Sequence, residues 1–247
     1  LSKRTIAAIK SIAHIPFVLI SSRMPQAMLH LQKELNISHL PMIAYNGGLI
    51  IDQETSIQST EIEHEISTAI FHFCNKSGTH MSLYHWDEWY VPTMDYWAKR
   101  ESSNTKVIPK VQDIEKTLEQ WKYQNKGAHK IMCMGDANEI DLLVNFIEKN
   151  YADSIIGYRS KPSYLEISHK SISKKTAIED LIAHKYLSCS IENIMAFGDN
   201  YNDIEMLKNV GVGVAVANAK KEVLEAVGTT TESNLKDGVA SFLENYF

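Results

Sequence analysis

Short apolar runs alternate with amphipathic stretches near both ends of the chain, a pattern typical of strands alternating with helices. The pattern predicts helices over 2–13, 25–35, 174–183, 201–209, 220–227 and 238–246. It predicts short apolar strands over 17–20, 41–45, 49–51, 194–197 and 212–216. Helices and strands that alternate over short connections indicate an α/β fold with a parallel sheet.

The middle of the chain has a different order of elements. It predicts helices over 61–77, 113–122 and 138–150, and strands over 81–84, 89–91, 130–134, 155–158 and 164–167. Consecutive strands joined by turns, one of them at Asp87-Glu88, indicate antiparallel pairing and an α+β domain. We therefore predict a discontinuous α/β domain over 1–56 and 168–247, interrupted by an inserted α+β domain over 57–167.

Composition narrows the classes of protein that remain. The 247 residues are 44% hydrophobic, as in ordinary globular proteins, and the formal net charge of -5 does not favour nucleic acid as a partner. No apolar run is long enough to span a bilayer. The three cysteines are scattered, which favours a reducing cytoplasm. The oligomeric state stays open.

The densest polar motif is Gly-Asp-Asn-Tyr-Asn-Asp at 198–203, directly after an apolar strand. Ligands of α/β sheets bind at the carboxyl ends of strands, and clustered oxygen atoms suit Mg²⁺. Asp199, Asn200 and Asp203 are therefore candidate metal ligands. The alternative is a polar cap on the following helix.

Two other places could hold a phosphate. Ser21 and Ser22 follow the strand over 17–20, and hydroxyl and backbone N–H groups before a helix suit an anion, although plain helix capping is the alternative. Lys174 stands at a helix start, where an anion would explain a cation, although a solvated surface lysine is the alternative. Together with a carboxylate-bound Mg²⁺, these groups would form a clamp for phosphate charge.

These motifs resemble those of haloacid dehalogenase (HAD) superfamily phosphatases, of the Cof subfamily with a type IIB cap, over essentially the whole chain. The family's Gly-Asp-x-x-Asn-Asp motif matches 198–203 without exception, and its conserved lysine matches Lys174. Its Asn-Gly-Ala turn matches Asn46-Gly47-Gly48. Its strand ending in Thr or Ser, then Gly-Arg, matches 18–23, with Ser22 in place of the usual Gly. The resemblance implies a Rossmann-like core and a cap inserted into it.

The family's first motif, Asp-x-Asp-Gly-Thr, does not occur in the 247 residues. The family carries it on the first strand, where its first Asp is the nucleophile. We therefore expect that strand and its nucleophile to lie upstream of Leu1, and we expect the chain as given to be unable to complete the usual reaction. The alternative is a chain that never had the motif.

For the intact protein the resemblance implies Mg²⁺-dependent hydrolysis of a small phosphorylated metabolite, most simply a sugar phosphate, through an aspartyl-phosphate. It implies that Asp199 holds the metal with help from Asp203, that Lys174 neutralises charge, and that Asn202 and the two serines bind phosphate oxygens. A phosphomutase and a non-catalytic binder of phosphorylated metabolites are the alternatives. Asn46 and the aromatic residues Tyr84, Trp86 and Trp89 are candidates for substrate specificity, although ordinary strand and edge packing is the alternative for the aromatic residues.

Overall fold

Helices and strands alternate through most of the computed structural model, which describes residues 1–159 and 161–247. The α-helices, in chain order, are α1 Lys3–Ser11, α2 Leu29–Leu35, α3 His64–Ser77, α4 Tyr96–Thr105, α5 Ile114–Tyr123, α6 Ala137–Tyr151, α7 Lys174–Ala183, α8 Ile204–Asn209, α9 Lys221–Ala226 and α10 Gly238–Tyr246. The strands are β1 Leu19–Ile20, β2 Met42–Ala44, β3 Leu49–Asp52, β4 Thr55–Ser59, β5 His80–His85, β6 Glu88–Val91, β7 Lys110–Val111, β8 Lys130–Met134, β9 Ile155–Lys161, β10 Tyr164–His169, β11 Met195–Gly198, β12 Val212–Val216 and β13 Thr229–Thr231. The mixed α/β class predicted from the sequence is confirmed.

The chain divides into two compact units. Unit 1 consists of Leu1–Ser21, Met28–Gln58 and Ser173–Phe247, and unit 2 consists of Ser22–Ala27 and Ser59–Ile172. Residues 22–27 thus belong with the middle of the chain, although the residues on both sides of them belong to unit 1. The predicted domain boundaries had placed residues 22–27 in the α/β domain, together with their neighbours in sequence.

Unit 1 contains two separate sheets between helices. One has the order β1-β2-β3-β4, with β1 and β2 parallel, and the other is the parallel sheet β11-β12-β13. Ile20 and Ala196 contribute to one hydrophobic layer, whereas Leu19 and Phe197 pack on the opposite layer, formed by α1, α2 and α10. Strands β1 and β11 therefore lie between the same two layers, yet within the described residues neither pairs with the other.

Unit 2 has one continuous sheet of order β7-β6-β5-β8-β10-β9, antiparallel except between β6 and β7. Alternate residues of its strands, such as Leu83, Ile131 and Leu165, pack with α3, α5 and α6. The opposite face carries polar side chains that include Ser82, Lys130 and Ser168. Period-two alternation of this kind is what a sheet with one apolar face requires.

The structure corrects the sequence predictions at several places. The predicted helix over 25–35 is a 3₁₀ turn at Pro25–Ala27 followed by α2. The β5–β6 turn lies at Trp86-Asp87 rather than Asp87-Glu88, because the strand pairing extends to His85 and Glu88. Helix α4 was missed, since its polar sequence has little apolar periodicity. Asp95 is the N-cap of α4, and its side chain accepts a hydrogen bond from the Ala98 N–H. An aspartate before this segment was the one sequence feature that could have indicated the start of a helix.

Candidate active site

The loop after β11 folds around a buried carboxylate. Asp203 is 2% exposed, and its Oδ2 accepts hydrogen bonds from the backbone N–H groups of Asp199 at 2.9 Å and Asn200 at 3.0 Å. A Cβ at Gly198 would lie 2.5 Å from the Asp203 Cβ, so the loop requires glycine there. The Gly-Asp-Asn-Tyr-Asn-Asp sequence therefore specifies a tight turn at the carboxyl end of a parallel strand.

Lys174 is brought to the same carboxylate from the start of α7. Its Nζ donates to Asp203 Oδ1 at 2.5 Å, and both side chains are nearly inaccessible to water. The helix start is fixed by a capping box, in which Ser173 and Thr176 exchange hydrogen bonds between side chain and backbone. A buried pair of this kind holds the ammonium group in one place, because losing either partner would leave an uncompensated charge.

Asp199 is the more accessible of the two carboxylates in the loop, although its carboxyl group is partly desolvated. Burial raises the pKa of its carboxyl group above the ordinary value, and the negative charge of Asp203 raises it further. The ammonium groups of Lys174 and Lys220 act in the opposite direction without cancelling those effects. The ionised form of Asp199 is therefore under-compensated, and a bound cation would stabilise it.

The three predicted metal ligands differ in how their oxygens are used. Both oxygens of Asp203 already accept hydrogen bonds, and Asn200 Oδ1 caps the 3₁₀ turn by accepting from the Tyr201 N–H. Asp199 is the carboxylate whose environment best fits a hard divalent cation. Direct ligation by Asn200 and Asp203 stays a prediction.

A second set of contacts joins three loops at the ends of β1, β2 and β11. The Ser21 carbonyl accepts from the Asn46 N–H at 2.9 Å, and the Asn202 carboxamide donates to Asn46 Oδ1 at 2.8 Å. Gly47, at φ 107°, lies so close to α7 that a Cβ would be 2.7 Å from the Ser173 carbonyl oxygen. The turn after β2 thus links the neighbourhood of Ser21 to the helix that carries Lys174.

Ser22 is held differently from Ser21. It belongs to unit 2, where its carbonyl accepts from the Lys130 ammonium at 3.0 Å. Nearby in sequence, the Gln26 N–H donates to Asp87 Oδ1 at 2.8 Å. The role of Ser22 in phosphate binding stays a prediction.

The aromatic specificity candidates also differ from one another. Tyr84 and Trp89 are each 2% exposed and stack on each other with ring centroids 5.4 Å apart. Trp86 is only partly buried, and it occupies the β5–β6 turn with a positive φ of 49°. Of these three, Trp86 has the most accessible ring.

Two clusters in unit 2 were not found from the sequence. Glu61, His85 and His129 bring their side-chain ligand atoms within 4.8 Å of one another, because β5 pairs with β8 so that His85 and His129 lie side by side. A second cluster has the order of a Ser-His-Asp triad, in which His80 lies 2.7 Å from Asp95 and 2.8 Å from Ser82. Ser82 is fully buried, so its hydroxyl cannot meet a substrate. No local spacing signals either cluster.

None of the helices formed by the described residues has the length and apolar character needed to cross a bilayer.

Residues 1–243 match the family model described as haloacid dehalogenase-like hydrolase, so the chain belongs to that family. A Haemophilus influenzae protein provisionally named a phosphatase is 31% identical over 100% of this chain and 92% of its own. A Bacteroides thetaiotaomicron haloacid dehalogenase-like hydrolase superposes with a TM-score of 0.87 at 24% identity, covering 100% of this chain and 92% of its own. The structure of a protein described as a HAD subclass IIB sugar phosphatase has a TM-score of 0.82 at 22% identity, with the same coverage. These two structures establish likeness of fold.

Proposed function

We propose that the complete protein is a Mg²⁺-dependent phosphatase that hydrolyses a small phosphate ester, most simply a sugar phosphate, through an aspartyl-phosphate. The observation that carries the proposal is the convergence of Lys174, Asp199 and Asp203 at the carboxyl end of β11. Family membership and a relative named as a phosphatase support the same reaction class.

The nucleophilic Asp would come from a strand upstream of Leu1. Support for this comes from β1 and β11, which lie between the same two hydrophobic layers without pairing to each other. A strand between them would join the two sheets and deliver its carboxyl end to the cluster of Lys174 and Asp199. Strands β1 and β11 each lie at the edge of a sheet, and their outer backbone groups would pair with such a strand.

Each residue of the cluster has a distinct task in this proposal. Lys174 compensates negative charge on the phosphoryl group, and Asp203 holds both Lys174 and the loop amides in place. Asn202 and Ser21 hold phosphate oxygens from the adjoining loops. Mg²⁺, held by Asp199, would supply positive charge to the transferring phosphoryl group. Phosphoryl transfer depends mostly on such positioning and charge stabilisation.

Substrate specificity would come from residues of unit 2, with Trp86 as the most accessible of its three aromatic candidates. Tyr84 and Trp89, which are buried and stack on each other, would stabilise the hairpin whose turn carries Trp86. One structural neighbour is named as a sugar phosphatase, which supports a sugar as the leaving group. A cytoplasmic location fits a substrate of this kind and three free cysteines.

The test uses protein expressed from the complete reading frame and para-nitrophenyl phosphate as a generic ester. We expect release of phosphate that requires Mg²⁺ and that falls by about 10²–10³ in Asp199→Ala, through loss of charge stabilisation. The matched control is Asp153→Ala, which removes a fully exposed carboxylate in unit 2 and should leave the rate unchanged. Near-normal rates in Asp199→Ala would refute the metal assignment.

Assays of the same complete protein distinguish a phosphatase from the two alternative functions. A phosphomutase would return its sugar phosphate phosphorylated at a new position and would need a phosphorylated donor. A non-catalytic binder would retain phosphate esters without releasing phosphate, whatever the metal.

A further inference from the structure

The cluster of Glu61, His85 and His129 in unit 2 has the residue types of a zinc site. Its hydrogen bonds, however, set the tautomer of His129 to one that does not suit zinc. The Trp86 backbone N–H points at His129 Nδ1 at 3.2 Å. A backbone N–H can only donate, so Nδ1 must accept. Burial, with the neighbouring His85 as a smaller cause, lowers the pKa of His129 to about 3, so the ring is neutral and its proton sits on Nε2.

The remaining donors and acceptors then follow in sequence. His129 Nε2–H donates to Ser59 Oγ at 2.9 Å, and the Ser59 hydroxyl donates to Glu61 Oε1 at 3.1 Å. Glu61 Oε2 accepts from the Gly127 N–H, and His85 Nδ1–H donates to the Gly127 carbonyl oxygen at 2.8 Å. Zinc on His129 Nε2 would require the ring proton to move to Nδ1, where it would oppose the Trp86 N–H.

The hydrogen-bond network includes the backbone of Trp86, which is strained. Trp86 has φ 49°, a region that a bulky side chain rarely adopts. His129 contacts both the end of β5 and the turn after it, since its own N–H donates to the Tyr84 carbonyl at 2.9 Å while its ring accepts from the Trp86 N–H. His129 is fully buried and is anchored below by Ser59 and Glu61. Backbone strain that is held by a buried network is typical of positions whose side chain has a task.

We propose that His129 is a positioning residue for substrate selection: by accepting the Trp86 N–H, it fixes the turn that presents the Trp86 indole to the sugar of the leaving group. This deepens the proposed function and rests on it. A sugar ring offers C–H groups to an aromatic face, and the orientation of that face decides which sugar fits. His129 itself touches no substrate.

The experiment compares variants of the complete protein on para-nitrophenyl phosphate and on a panel of hexose 6-phosphates and pentose 5-phosphates. Trp86→Ala and His129→Leu should each lower kcat/KM for the preferred sugar phosphate by about tenfold, mainly through KM, while the generic ester changes by about twofold or less. His129→Asn, which keeps an acceptor near the Nδ1 position, should recover most of the loss. In the double variant the two losses should not add, because both act through one ring.

Controls separate this role from plain stability. Tyr123→Ala removes an exposed aromatic ring of unit 2 and should change neither substrate. A merely structural His129 would lower the active fraction and so reduce kcat equally for both classes of substrate. Nitrogen NMR of the wild-type ring should show protonated Nε2 and unprotonated Nδ1.

Three results would overturn the inference. They are an active enzyme whose substrate ratios are unchanged in His129→Leu, a ring protonated at Nδ1, or stoichiometric Zn²⁺ binding that His129→Leu abolishes. Absence of any phosphate release by the wild-type protein with Mg²⁺ would overturn the proposed function, and this inference with it.

Discussion

Each unit of the molecule contains a cluster of ionisable side chains, and the two clusters are built on opposite principles. In unit 1, Lys174 and Asp203 form a buried pair while the charge of Asp199 beside them stays under-compensated. In unit 2, Glu61, His85 and His129 belong to a network in which the donors and acceptors match. The first cluster would gain from a cation, whereas the second would lose hydrogen bonds to one.

The difference shows that residue types and proximity do not by themselves define a metal site. The unit 2 cluster has two imidazoles and a carboxylate within 4.8 Å, yet its tautomers are set by backbone groups. The unit 1 cluster offers one accessible carboxylate, and the raised pKa of Asp199 means that the cation proposed there would stabilise its ionised form. Hydrogen-bond direction separates the two cases.

The largest predicted loss of activity and stability is at Lys174, in the unit 1 cluster. Lys174→Ala should abolish most phosphate release and lower the free energy of unfolding by about 3–5 kcal/mol, because Asp203 would stay buried without its counter-ion. Activity assays and urea unfolding measure the two effects. Lys175→Ala, next to it but paired with Glu179 at the surface, should leave the free energy of unfolding nearly unchanged, because exposed ion pairs contribute little.

A smaller loss is expected when the unit 2 network is opened. His129→Leu should lower the free energy of unfolding by about 1–3 kcal/mol, since it leaves the Trp86 N–H without its acceptor, and His129→Asn should lose less. Urea unfolding of the three proteins checks the order. Equal losses in both variants would mean that packing, and not the hydrogen bond, explains the role of His129.

The strain at Trp86 gives a still smaller effect. Trp86→Gly should be more stable than Trp86→Ala by about 1–2 kcal/mol, because a positive φ costs little for glycine alone. Gln53, at φ 55° in the β3–β4 turn, offers a matched position. Its Gly and Ala variants should differ in the same direction without any change in substrate preference.

The smallest effect concerns pH and Asp199. Its folded-state pKa is raised above the ordinary 3.8, so the stability that its protonation supports is complete below that value and is lost as pH rises through the raised pKa. Metal-free Asp199→Asn should therefore match the wild type in acid and exceed it in stability at neutral pH. Mg²⁺ should reverse that order, as thermal unfolding at several pH values would show. The same order with and without Mg²⁺ would count against Asp199 as the ligand.

The sequence predicted unit 1 better than unit 2 for a physical reason. The residues of its loop over 198–203 are contiguous, and the apolar strand before them and the helix after them are both present as β11 and α8. The pairing of Lys174 with Asp203 was not predicted, because no local pattern shows that α7 begins beside that loop. The structure supplies the 2.5 Å contact that joins them.

The unit 2 network could not be predicted, because it depends on strand register. His85 meets His129 only because Tyr84 pairs with Lys130 across β5 and β8. The alternating pattern of both strands was visible, but the alignment of one strand against the other was not. The positive φ of Trp86 was likewise hidden, since tryptophan is a residue that the sequence rules would not place there.

The most direct measurement replaces Mg²⁺ with paramagnetic Mn²⁺ and follows its effect on the NMR spectrum of the isotopically labelled protein. Mn²⁺ bound by Asp199 should broaden the backbone amide signals of Asp199 and Asn200 at the lowest concentrations, and Asp199→Asn should remove that effect. Broadening that begins instead at the rings of His85 and His129 would contradict the assignment of the metal to unit 1.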